Sequence, residues 1–137
     1  MTKRYASTAL IYVIAAMIFG VFYREFTKFQ GFTGKTTLSV MHTHYFLLGM
    51  VFFLLLLVLE KSLHLSAQKN MGKVVIAYQI GLNITGLGLF MRGITQALGT
   101  VLTRGLDASI SGISGIGHII TGVSMILILV KIKKSCS

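Results

Sequence analysis

Three histidines, His42, His44 and His118, stand inside apolar runs long enough to cross a bilayer. Ionisable side chains are rare at membrane depth, and those present usually face the bundle interior to meet a partner, a ligand or a proton path. Neutral imidazole is a standard axial ligand to haem iron and a common ligand of copper and zinc. Two histidines facing each other across a helical bundle would hold a hexacoordinate haem. The elements that carry them are LSVMHTHYFLLGMVFFLLLLVLE, from Leu38, and ISGIGHI, which ends one residue past His118.

The 137-residue chain is 54% hydrophobic and 12% charged and has no proline. These values describe a membrane protein. Apolar runs predict four helices at about 6–23, 38–60, 74–94 and 109–132, each near the ~20 residues that span ~30 Å of hydrocarbon. The expected fold is all-α, a single transmembrane up-down-up-down four-helix domain over residues 1–137; the continuous runs lack the alternation of a transmembrane barrel. The first helix begins like a secretory signal, but Phe22, Tyr23 and Arg24 stand where a cleavage site needs small residues, so it is expected to be retained.

The net charge of +10 is dispersed over helix ends, which suits anionic lipid headgroups better than nucleic acid. Lys3, Arg4, Lys61, Lys69, Lys73, Lys131, Lys133 and Lys134 fall on one side, and Arg24, Lys28, Lys35, Arg92 and Arg104 on the other. Positive-inside bias places both termini in the cytoplasm and the protein in the cytoplasmic membrane. The lone Cys136 supports no disulfide, and His64 belongs to a solvated loop.

In this topology helices 2 and 4 run in the same direction, so His42 or His44 and His118 share one half of the bilayer. His42 and His44 lie about 200° apart on a helix and are expected to point at different partners. His42 shares a face with Gly49, which leaves room for a ring edge, whereas His44 lies nearer the depth of His118. His42 is preferred as the partner of His118, with His44 open. Gly115 and Gly122 flank His118 by about one turn and leave its face empty enough for a macrocycle. FYREFT at Phe22–Thr27 and FMRGIT at Phe90–Thr95 hint at a duplicated hairpin, whose Arg24 and Arg92 would pair with haem propionates. The heptad stripe Gln79, Asn83, Gly86 and Phe90 should face other helices as interhelical glue. Asp107 and Ser109 are N-cap candidates for the fourth helix.

Through FYREFTKFQGFTGKTTLS, MHTHYFLLGM and ISGIGHI, the chain resembles an uncharacterised family of small bacterial four-helix membrane proteins over nearly its whole length. More locally, MHTHYFLLGM is similar to the second-helix segment of haem-copper oxidases that ligates low-spin haem, and by position that likeness implies the ligand role for His42. The further histidines of an oxidase binuclear centre are missing, so oxygen reduction is not implied.

The leading expectation is therefore a b-type haem protein for electron transfer, haem handling or sensing. The alternatives are a copper- or zinc-binding or transport module using His42, His44 and His118, and a structural or assembly subunit without cofactor. A redox partner or a second copy of the chain would be the protein partner. With no nucleophile–base pair, phosphate loop or paired carboxylate, enzyme activity has no positive support.

Overall fold

A computed structural model describes residues 1–136. It contains four long helices: α1 (Thr2–Phe29), α2 (Leu38–Leu63), α3 (Met71–Ala97) and α4 (Arg104–Ser135), each long and apolar enough to cross a membrane. No strand occurs among the described residues. The all-α four-helix expectation is therefore met. One end of the bundle carries both termini and the α2–α3 loop; the other carries the α1–α2 and α3–α4 loops.

The helices associate as two close pairs, α1 with α2 and α3 with α4, joined where α2 meets α3. On α1 the contact stripe is Tyr5, Ala9, Tyr12 and Ala16, whose spacings of four, three and four keep one face toward α2. Tyr5 and Tyr12 both pack on Phe53, at ring separations of 6.0 and 5.8 Å. Opposite faces remain apolar and exposed, as at Leu10, Ile14, Ile18 and Val21 of α1 and Ile119, Val123 and Ile126 of α4. Such faces are stable against acyl chains.

Lipid offers no hydrophobic drive for helices to pair, so close backbone approach must supply the attraction. Between α3 and α4 it is made by glycines. A Cβ on Gly81 would lie 2.6 Å from the Thr121 nitrogen, on Gly88 2.8 Å from the Ser114 side chain, and on Gly117 2.5 Å from the Thr85 nitrogen. The α2–α3 joint is instead polar: Thr36 Oγ1 donates to the Gly93 carbonyl (2.8 Å) and Thr37 Oγ1 to that of Leu89 (2.7 Å), while Gln96 Oε1 accepts from the Thr37 nitrogen.

Residues Tyr45–Val51 of α2 form a π-helical segment. Its wider turns leave carbonyls short of the usual partner four residues on, and the Tyr78 hydroxyl of α3 donates to one of them, Leu48, at 2.8 Å. At its start α4 departs from expectation. The helix begins at Arg104, capped by Thr103, whose hydroxyl accepts from the Leu106 nitrogen, and not at Asp107 or Ser109. Thr103 has the extended backbone (ψ 154°) that an N-cap requires.

Replacing Gly117 with Ala should lower stability by about 1–3 kcal/mol through forced separation of α3 and α4. Gly112→Ala, where a Cβ meets nothing within 4 Å, should be neutral or gain up to about 1 kcal/mol in helix propensity. Denaturant titration in detergent micelles checks both, and equal effects would refute the close-approach account.

Candidate functional site

The first sequence-predicted residues brought together are His44 and His118. His44 sits at the end of the first α-helical stretch of α2, immediately before the π segment; His118 follows Gly117, which pins α4 against α3. Their ring centres are 6.2 Å apart with planes at 89°. His44 Nδ1 lies 2.8 Å from the Val40 carbonyl and His118 Nδ1 2.7 Å from that of Ser114, each four residues earlier. A carbonyl only accepts, so both Nδ1 atoms must carry the hydrogen. Both Nε2 atoms then keep their lone pairs, the tautomer a metal ligand needs. A metal bound by both Nε2 atoms at about 2 Å would set the ring centres about 6 Å apart, close to the observed spacing.

Space beside this pair is open on α4. A Cβ on Gly115 or Gly122 would meet nothing within 4 Å, whereas Gly117 is consumed by packing. The small residues of ISGIGHI thus divide by face, one set closing on α3 and the other left free near His118.

His42 takes no part in that pair. It faces α1, where its ring stacks near Tyr23 (6.5 Å, 14°) above Gly20. Its Nδ1 is buried without a hydrogen-bond partner among the described residues. The preference for His42 over His44 as the neighbour of His118 is therefore reversed, because the α1 contact claims the His42 face. Gly49 lies on that same face, and its closeness to Tyr12 (2.5 Å from a built Cβ to Cγ) fills the room expected for a ring edge. No group of three or more His, Cys, Asp or Glu converges among the described residues. His64 lies at the end of α2 that carries the α2–α3 loop, in a left-handed conformation (φ 49°).

The two arginines also differ. Arg92 joins α3 to α4 through an ion pair with Asp107 and a 2.7 Å hydrogen bond from Nη2 to Ser111 Oγ. Ser111 precedes His118 by two helical turns, about 10 Å along α4. Arg24 is 81% exposed, with Glu25 at 3.8 Å. The FYREFT and FMRGIT ends are thus unlike in what their arginines do, although Phe22 and Phe90 pack on each other at 5.6 Å.

The family model described as "Protein of unknown function (DUF2871)" matches residues 2–135. The chain belongs to that family. No curated protein and no solved structure matches it. For this family member the site must be argued from its own geometry.

A second polar cluster, on the opposite side of α2, lay outside the candidate-site reading of the sequence. Asn83 Nδ2 donates to the Tyr12 hydroxyl (3.1 Å) and the Gln79 carbonyl (2.8 Å), Tyr45 Oη lies 3.4 Å from Asn83 Oδ1, and Gln79 Nε2 lies 3.5 Å from Thr8 Oγ1. The Gln79–Asn83 stripe signalled the amides; nothing in the sequence distinguished Tyr12 and Tyr45 from ordinary packing aromatics.

If Arg92 clamps α3 to α4, Arg92→Gln and Asp107→Asn should each cost about 1 kcal/mol, and the double variant less than their sum. A double-mutant unfolding cycle reads the coupling; strictly additive costs would dismiss the clamp.

Proposed function

We propose that this chain is a membrane-embedded b-type haem-binding protein in which His44 of α2 and His118 of α4 supply both axial ligands. The observation that carries the reading is the pair itself: two imidazoles 6.2 Å apart, each with Nδ1 tied to a carbonyl and Nε2 left as a donor atom. The open positions at Gly115 and Gly122 leave space for a flat macrocycle on the α4 side. Arg92, held two turns from His118 by Asp107 and Ser111, would be the residue to pair with a propionate. When bound, haem would supply one-electron chemistry.

The residues of this chain then have defined tasks. His44 and His118 would hold the haem iron between them, which would favour electron transfer or haem handling over oxygen chemistry. The carbonyls of Val40 and Ser114 fix the two tautomers and orient the rings. Leu47, Ile116 and Ile119, all exposed apolar residues close in sequence to the two ligands, would place the macrocycle edge against lipid. The local likeness of MHTHYFLLGM to haem-copper oxidases assigns the ligand to His42, whereas the packing favours His44. A bare copper or zinc ion would need donors beyond these two imidazoles. The eight basic residues on the terminal side against five on the other support a reading with cytoplasmic termini in the cytoplasmic membrane.

Expression with added haem followed by absorption spectroscopy tests the reading. The parent protein should show a Soret band and low-spin bands. His44→Ala and His118→Ala should each abolish the low-spin signature, and His42→Ala should retain it. No Soret band in the reconstituted parent overturns haem binding, and loss of the low-spin signature in His42→Ala alone transfers the ligand role to His42.

A further inference from the structure

Amides at the middle of a membrane helix need partners, because hydrocarbon provides none. Asn83 is twelve residues from the start of α3 and fourteen from its end, about 18 Å and 21 Å along the axis. It is nevertheless exposed, and Gln79 one turn away is half-exposed. Both line a cleft of about 430 Å³ between α1 and α3, with Thr8, Tyr12, Phe19 and Tyr45 among its walls. The cleft opens beside Ile11, which is 65% exposed, and Ile80, which is 52% exposed, so acyl chains border it.

The hydrogen-bonding capacity left over in this cleft includes donors. Both Asn83 N–H groups are used, by the Tyr12 hydroxyl and the Gln79 carbonyl. The Tyr12 hydroxyl, having accepted from Asn83, retains its own hydrogen. Among the described residues Gln79 Nε2 has the long 3.5 Å contact to Thr8 Oγ1, which leaves its amide able to donate to a ligand. The cleft therefore offers donors at mid-membrane beside the aromatic faces of Tyr12, Tyr45 and Phe19, which lie 5.6 Å apart in successive pairs. Lipid ester carbonyls lie at the headgroup level and do not reach this depth. A molecule that carries carbonyl acceptors on a flat ring into the hydrocarbon does.

We propose that the α1–α3 cleft binds a lipid-soluble quinone, with ring carbonyls accepting from Gln79 and Tyr12 and the apolar tail leaving along the groove of Ile76, Ile80 and Leu87. The cleft stands apart from the His44–His118 pair and does not depend on haem. The two are neighbours in the chain nonetheless, since His44 and Tyr45 are consecutive and point to different sides of α2.

Tyrosine emission provides a direct readout, because the chain has five tyrosines and no tryptophan. The full chain, prepared without haem in lipid nanodiscs, is titrated with a decyl-tailed benzoquinone. Quenching should saturate, whereas a membrane-embedded tyrosine peptide shows only linear collisional quenching. Gln79→Leu should weaken the saturable phase at least tenfold. Ala15→Phe, which fills the cleft and leaves every polar group in place, should abolish it with the thermal transition retained. Linear quenching of the parent, or saturation unchanged in Ala15→Phe, overturns the proposal. So does a parent that is dimeric and becomes monomeric in Gln79→Leu, since a second copy would then be what covers the amides.

Discussion

Close approach of the α3 and α4 backbones is the constraint on which the rest depends. Gly81, Gly88 and Gly117 remove the Cβ atoms that would hold the two helices apart, and Thr85, Ser114 and Thr121 pack where those atoms would be. In water such a contact would be one contribution beside a large hydrophobic one. In lipid it is a principal source of attraction, since an apolar side chain is as comfortable against an acyl chain as against another helix. With Gly117 facing α3, the next residue is turned about 100° aside. That rotation brings His118 to the side where His44 of α2 stands.

The second constraint is satisfaction of polar groups without water. The chain meets it with short local bonds that also aim side chains. Thr36 and Thr37, just before the start of α2, bond α3 carbonyls, which fixes the depth at which α2 enters the bundle. Tyr78 bonds a carbonyl inside the π segment, so the wider turns carry no orphaned acceptor at Leu48. His44 and His118 each donate to a carbonyl one turn back, which fixes the ring and leaves Nε2 as the second nitrogen of each. The exceptions are His42 Nδ1 and Thr85 Oγ1, both buried without a hydrogen-bond partner among the described residues. A buried donor or acceptor left unmade costs about 1–3 kcal/mol.

Legibility in the sequence followed the length scale of each signal. Four spans were plain because each is a run of some twenty apolar residues, and the stripe of Gln79, Asn83, Gly86 and Phe90 was plain because heptad spacing keeps one face. Gly86 does meet Tyr45, and Phe90 meets Phe19 and Phe22. The opposition of His42 and His44 followed from two residues of helical rotation. What rotation alone could not supply was the absolute direction of α2, which depends on the α1 contact at Gly49 and on Thr36 and Thr37. The glycines of ISGIGHI were equally ambiguous: Gly115 and Gly117 differ by two residues, and only the position of α3 decides which one packs and which one stays open. Even the start of α4 was decided by the backbone angle at Thr103, a property no composition window contains.

The hint of duplication is instructive for the same reason. Phe22 and Phe90 meet, and Thr27 and Thr95 both bond carbonyls a turn back on their own helices, so the matching positions do occupy similar local settings. The arginines diverge because only α4 presents an Asp107 and a Ser111 to its preceding helix; the corresponding end of α2 presents Thr36 and Thr37 to α3 instead. One hairpin thus uses its polar end to hold a guanidinium two turns from a histidine, and the other uses it to fasten the two hairpins together. This asymmetry joins α2 to α3 and leaves α2 facing α4 chiefly through two imidazoles. Across that gap stand two imidazoles, each oriented by an Nδ1 bond to a carbonyl of its own helix, with open glycine positions beside His118.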